Sequence, residues 1–260
     1  MTTNVTLNSE SYNDLLRCFI ALKEVCNDVD IRGGIIRQRS NDKTSIFEID
    51  MMPLFNVDGG SVEPSDINIA ISDIKNKLDL LKTFSGQEIN LKIVGGDNSY
   101  FVLSDQFSSI KFISPALQFM DNQHMSEEQL NVIFKLEDDD LILEHEISTM
   151  ITDRIKVITS SFHTDVIQVN FKGEEAIITA STQAKDQFAK IITDITTNIV
   201  INDCSANLSN IPFTIDYDTN VDFKMYKDPN QDIALNKFVT TIGDVNLAVF
   251  TRSSIVSDED

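Results

Sequence analysis

The sequence has no tryptophan and only three cysteines, Cys18, Cys26 and Cys204. The set is odd, sparse and without C-x-x-C spacing, and two of its members fall in an apolar helical pattern. They are read as reduced, buried thiols of an intracellular protein. No run of about 18 apolar residues occurs, which argues against a membrane span. The opening "MTTNVTLNSES" lacks the basic leader and apolar core of a signal peptide. Positive charge is scarce too: 21 Lys and Arg stand against 41 Asp and Glu, for a formal charge of −20. Such a surface repels nucleic acid and anionic lipid, so any nucleic-acid partner must be met by a local exception to it.

What is present suits a globular protein. Hydrophobic residues make up 42% of 260 positions, enough for one large domain or two of about 130. Strand signals dominate. "INIAI" (67–71), "INLKI" (89–93), "IKF" (110–112) and "VIQVNF" (166–171) carry the alternation of half-buried antiparallel strands. Turns are expected at Gly33-Gly34, Ser40 to Lys43, Gly59-Gly60, Gly95 to Asn98 and Lys172 to Glu174. Three helices are expected. The first (11–27) buries Leu15, Phe19, Leu22 and Cys26, with Ser9 or Ser11 as its cap. The second (73–83) buries Ile74, Leu78 and Leu81, with Ser72 or Asp73 as cap. The third (146–161) turns Ile147, Met150, Ile151 and Ile158 inward.

Catalytic signatures are missing. There is no P-loop, zincin helix, nucleophile elbow or dinucleotide fingerprint. His124, His145 and His163 are far apart and read as surface or hairpin residues. The run "LEDDDLILEHE" (136–146) could suggest a carboxylate metal site, but consecutive acids diverge, and a charged hairpin turn is expected instead. "VDGGS" (57–61) lacks the remaining ligands of a calcium loop and reads as a turn. No cofactor or metal is expected.

A pattern runs through the chain twice. Helix, strand, tight turn and strand run from Leu15 to Asp42 and again from Met150 to Gln183. Between them "SPALQFMDNQHMSEEQLN" (114–131) has no clear period and reads as a connecting segment. The expected organisation is an N-terminal domain over 1–114, a linker over 115–131 and a C-terminal domain over 132–260. Each domain is α+β, with antiparallel sheet and helices on one face.

In this arrangement the chain resembles the sliding clamps of DNA replication, of the two-domain kind found in eukaryotes and T-even-like phages. The residues that carry the resemblance are "NVTLNSESYNDLLRCFIALKEVCNDVDIRGGIIRQ", "AISDIKNKLDLLKTFSGQEINLKIVGG", "SSFHTDVIQVNFKGEEAIITAS" and the ending "VNLAVFTRSSIVSDED". They cover nearly the whole chain in order. One departure stands out: the fourth helix of the pattern would fall at "LSNIPFTIDYD" (208–218), where Pro212 and a strand-like "FTIDY" leave room for about one turn. The Asn-, Ile- and Asp-rich, tryptophan-free composition is compatible with a phage protein, acting in the host bacterial cytoplasm, or in the nucleus if the source is eukaryotic.

The resemblance implies a ring of three copies around duplex DNA, sheets outside and helices lining the hole, with a DNA polymerase and a clamp loader as further partners. The residues expected to meet DNA are Arg17 and Lys23 on the first helix, Lys75, Lys77 and Lys82 on the second, and Arg154 and Lys156 on the third. Lys156 is expected outward with Thr149 and Thr152, whereas a regular helix turns Arg154 toward the apolar side. A partner peptide with apolar and aromatic anchors would meet Leu117, Phe119 and Met120 of the connecting segment and Val249, Phe250 and Ile255 near the end. The alternative for these side chains is that they cover their own sheet. Outside the family, a β-rich viral assembly subunit would share the duplication and acidity.

Overall fold

Strand and helix follow one another in an order that the chain runs through twice. The computed structural model describes residues 2–23, 25–55, 62–84, 88–95, 99–121, 123–134, 136–162, 166–172, 175–181, 188–194, 204–208, 211, 217–228 and 233–254. First come β1 (Thr2–Asn8), α1 (Ser9–Lys23), β2 (Val29–Arg32), β3 (Ile35–Arg39) and β4 (Ser45–Asp50). Then follow α2 (Met52–Phe55), β5 (Asn68–Ile71), α3 (Ile74–Leu81), β6 (Glu88–Val94), β7 (Tyr100–Ser104) and β8 (Ser109–Ile113). A short helix α4 (Glu127–Ile133) leads to β9 (Leu141–Ile147), α5 (Thr149–Phe162), β10 (Val166–Lys172), β11 (Glu175–Ser181) and β12 (Phe188–Asp194). The last strands are β13 (Cys204–Asn207), β14 (Val221–Lys227), β15 (Ile233–Ile242) and β16 (Val245–Ser254). Among the described residues no helix is long and apolar enough to cross a membrane.

Two units result. Met1–Lys43, Phe47–Glu127 and Thr241–Leu247 make the first; Thr44–Ile46, Glu128–Thr240 and Ala248–Asp260 make the second. In the first, the strands run β1-β6-β7-β8 and β5-β2-β3-β4; in the second they run β9-β14-β15-β16 and β13-β10-β11-β12. The two pairs of orders are the same topology, with β9 standing for β1 and β14 for β6. The repeat visible in the sequence over two short stretches therefore extends through every strand.

Alternation builds the first core. Val5 pairs with Leu91, and Leu91 with Leu103, so one row of buried side chains crosses three antiparallel strands. Ile93, Phe101 and Phe112 form the next row, where the two phenyl rings stack with centroids 4.8 Å apart. Helix α1 packs on β1 and β6 and lies beside α3, burying Leu15, Cys18, Phe19 and Leu22. Ile74, Leu78 and Leu81 form the buried stripe of α3 as expected; each such aliphatic side chain contributes about 2 kcal/mol. The Tyr12 hydroxyl donates to the Leu81 carbonyl at 2.7 Å and ties the two helices together. Cys18 and Cys26 are free and buried.

The second core is aromatic. Phe171 of β10 stacks on Phe223 of β14 at 5.2 Å, and Phe223 stacks on Phe238 of β15 at 4.6 Å. His145 of β9 meets Phe171 edge-on at 6.3 Å. It is only 6% exposed, not the surface residue expected, because β9 alternates Leu143, His145 and Ile147 inward against Glu144 and Glu146 outward. Burial lowers the His145 pKa against a smaller opposing effect of Glu146, and its buried Nε2 has no hydrogen-bond partner.

Several local expectations are corrected. Neither Ser9 nor Ser11 caps α1; Asn8 does, its Oδ1 accepting the Ser11 N–H at 2.8 Å. Asp73 precedes α3 in the left-handed region (φ 53°, ψ 55°) without a capping side-chain bond. On α5, Thr152 is buried while Met150 and Arg154 are exposed. The apolar stripe is Ile151 and Ile155, so its face is rotated from the one expected and Arg154 needs no irregularity. The acidic run is no hairpin: Asp138–Asp140 form a 3₁₀ turn that enters β9. The connecting segment is also more ordered than read, with a 3₁₀ turn at Leu117–Met120 and the helix α4. The fourth helix falls outside the described residues apart from Leu208, Ile211, Tyr217 and Asp218, as do the Gly59-Gly60 turn, the 57–61 motif apart from Val62 beyond it, and His163.

His145 generates a stability prediction. A histidine held below its ordinary pKa stays neutral in the fold while the unfolded chain takes up a proton as pH falls through about 6.5. Stability is unaffected above that pH and falls below it, by at most about 1.4 kcal/mol per pH unit from this residue. Denaturant midpoints at pH 7.5 and 5.5 should therefore differ less in His145→Leu than in the native protein. An equal difference in both would assign the acid sensitivity elsewhere.

Candidate nucleic-acid interface and docking segment

Because α3 buries Ile74, Leu78 and Leu81, its remaining positions face outward. Lys75 is exposed. Lys82, seven residues on, is also exposed, with Nζ 3.9 Å from Asp79 Oδ1. Lys77 differs: it is half-buried, its Nζ donates to Ser72 Oγ at 3.1 Å, and burial lowers its pKa. On α1, Arg17 is half-buried and bonds Asp14 Oδ1 at 3.2 Å. Asp14 is buried in turn beneath the β15–β16 turn, where a Cβ on Gly243 would stand 1.7 Å from Asp14 Oδ2. Lys23 is half-buried in the last turn of α1, where a cation complements the helix dipole. On α5, Arg154 is exposed and Lys156 half-buried, beside exposed Met150, Asp153 and Val157. Three of the seven cations, Lys75, Lys82 and Arg154, are exposed. Arg17, Lys77 and Lys82 have partners at Asp14, Ser72 and Asp79.

The apolar candidates divide likewise. The 3₁₀ turn presents Phe119 at 73% exposure, buries Met120 to 5% and leaves Leu117 half-buried. These belong to the first unit, whereas Val249 and Phe250 belong to the second. Both of the latter are buried. The Phe250 ring lies 5.2 Å from that of Phe134, at an interplanar angle of 51°. Lys237 and Arg252 sit over these two rings, at 5.7 and 5.8 Å respectively. Ile255 lies outside the described residues.

The connecting segment is held by a feature that the sequence expectations do not include. Gly33 and Gly34 take φ of +61° and +78°, the conformation a two-residue hairpin requires and which glycine adopts at little cost. The hairpin so made carries Arg32, Arg37, Gln38 and Arg39. Gln38 forms an isolated bridge with His124, and the Arg39 N–H donates to the Gln123 carbonyl at 3.0 Å. The Met125 N–H donates to the Arg37 carbonyl at 2.9 Å. Arg37 pairs with Glu48 and, at 3.5 Å, with Glu127. The signal available was three arginines within eight residues of a tight hairpin.

Among the described residues no group of three or more His, Cys, Asp or Glu side chains is placed to hold a metal ion.

No family model matches the chain, and no curated protein sequence matches it. Solved structures do. A proliferating cellular nuclear antigen from Entamoeba histolytica superposes with TM-score 0.60 at 13% identity, covering 98% of each chain. A structure of the PCNA2–PCNA3 complex from Sulfolobus tokodaii gives TM-score 0.59 at 13% identity, over 96% of this chain and 98% of that one. The chain has the sliding-clamp fold. The clamp match runs end to end, so both halves of the doubled topology take part in it. At this identity the shared property is backbone architecture, and the clamp's surface chemistry has to be read from the side chains of this chain.

Proposed function

We propose that the chain is a sliding clamp, a processivity factor without catalytic activity whose copies close into a ring around duplex DNA. The end-to-end coverage of known clamp subunits, 96–98% of this chain, is the observation that carries this reading. The ring is a homotrimer, placed on DNA by a clamp loader and used as a tether by a DNA polymerase and other replication proteins inside the cell. A closed ring holds the duplex by topology, so it needs neither base readout nor strong affinity. Duplex DNA presents one phosphate charge per ~1.7 Å of axis. Lys75, Lys82 and Arg154 are the cations with side chains most available to it, with Lys156, Lys23, Arg17 and Lys77 as weaker contributors. Contacts of this kind position the ring without reading sequence, and the acidic remainder keeps DNA off every other surface.

Two features support assembly into a ring. Within the described residues β8 pairs only with β7 and β12 only with β11, and unpaired strand edges are ready templates for another chain. β8 also presents Ile113 at 76% exposure. Joining β8 of one copy to β12 of the next is a heterologous contact that closes if the rotation per copy divides a full turn. Partner peptides dock on the connecting segment through Phe119, flanked by Leu117 and Met120.

Reversing charge on α3 tests the DNA-facing assignment. The double variant Lys75→Glu, Lys82→Glu should lower DNA-dependent loading or processivity on the order of tenfold at low salt while leaving the melting temperature unchanged. Lys77→Glu should do less, since its ammonium is already bound at Ser72. Native processivity in the double variant would remove α3 from the DNA-facing surface.

Ile113→Glu tests closure. The residue is exposed in the isolated chain, so the variant should fold normally yet run as a monomer in light scattering where the native protein runs as a trimer. A variant that keeps the native mass would place the subunit contact elsewhere. A native assembly unaffected by DNA and loader would favour a purely structural subunit.

A further inference from the structure

Arg32 stands at the end of β2, where the glycine turn leaves its guanidinium beside the connecting segment. Its Nε donates to Asp30 Oδ2 at 2.6 Å, and one terminal nitrogen donates to the Leu117 carbonyl at 2.9 Å and to Asp121 Oδ1 at 2.7 Å. Leu117 opens the 3₁₀ turn and Asp121 closes it, so one planar cation grips both ends of the turn that presents Phe119. Asp30 is fully buried, at 0% exposure. Its Oδ2 also lies 3.2 Å from His124 Nδ1, and its Oδ1 has no hydrogen-bond partner. A carboxylate placed so is costly unless a cation compensates it, and Arg32 is the hydrogen-bonded one. Burial disfavours the guanidinium charge, but the bonds from Asp121 and Asp30 outweigh this and hold its pKa above the ordinary value. Lysine could not replace this grip, because it offers a point charge where the site uses a fork. The backbone of Asp30 is fixed as well, its N–H donating to Gln38 Oε1 at 3.4 Å. Gln38 Nε2 then donates to Gln123 Oε1 at 2.9 Å, further along the same segment.

We propose that Arg32 is a positioning residue for partner docking. By binding buried Asp30 on one side and the Leu117–Asp121 turn on the other, it holds Phe119 outward before any partner arrives. This rests on the reading of the connecting segment as the docking site. A partner peptide then meets a preformed anchor instead of ordering a loose loop, and the avoided ordering appears as affinity. The grip touches the Leu117 carbonyl and the Asp121 carboxylate and not Phe119 itself. Presentation and contact can therefore be separated by mutation.

The probe is a fluorescein-labelled peptide with apolar and aromatic anchors, titrated against full-length protein by fluorescence anisotropy, with hydrogen exchange of Leu117–Asp121 read in parallel. Asp121→Ala removes one strap from an exposed position without orphaning a buried charge. It should leave the melting temperature unchanged, speed exchange in the turn about tenfold and weaken the peptide severalfold. Arg32→Lys should do the same more strongly, about tenfold in affinity, and Arg32→Ala should exceed it if it folds. Phe119→Ala should abolish peptide binding with exchange unchanged. Unaltered exchange and affinity in both Asp121→Ala and Arg32→Lys would overturn the positioning role. A native protein that fails to bind the peptide while the two variants still loosen the turn would leave the grip standing and overturn the docking site.

Discussion

The burial of one stripe of each helix decides which side chains this molecule has left for anything else. With Ile74, Leu78 and Leu81 committed to the first core, Lys75 and Lys82 have no inward option. With Ile151 and Ile155 committed on α5, Arg154 turns out. The energy in that choice is large: several aliphatic side chains at about 2 kcal/mol each, against the tenths typical of an exposed charge pair. Electrostatics could not rotate these helices, so the cationic positions follow from packing. The same constraint operates twice, because the strand orders of the two units repeat.

Three of the arginines follow a different rule. Arg17, Arg32 and Arg37 all hold carboxylates within the protein, at Asp14, at Asp30 and Asp121, and at Glu48 and Glu127. The more exposed cations are mostly lysines. A guanidinium is less strongly hydrated and can serve two partners at once, which suits it to half-buried straps. An ammonium stays hydrated and mobile, which suits weak contact with a moving polyanion. In a chain of charge −20, this division leaves few cations exposed.

Much of the architecture was legible. Strict alternation in "INLKI" and "VIQVNF" became β6 and β10, and the pair Gly33-Gly34 became the tight turn, because both signals are local. The faces of α5 were not. Isoleucines at 147, 151, 155 and 158 and the methionine at 150 supply apolar residues on more than one side, so the period alone could not choose the stripe. His145 was misplaced for a related reason: charged neighbours on both sides suggest exposure, yet in a strand those neighbours point the other way. Asp30 was the hardest case. Alternation with Val29 and Ile31 assigns it to the outer face of β2, yet it is buried, with Arg32 from its own strand and His124 from the later segment against its carboxylate. The Leu117–Met120 turn itself carried no helical period, being held by Arg32 and by a backbone bridge to Gln38, neither of which leaves a mark on residues 115–125.

Encirclement is the claim on which the functional reading turns, and retention on DNA of different topology measures it. Labelled protein loaded onto nicked circular duplex by its loader should stay through gel filtration at high salt, and should run off once the circle is cut by a restriction enzyme. Equal loss from intact and linearised DNA, or retention that vanishes with salt on both, would mean that the protein binds the duplex from one side and is not a clamp.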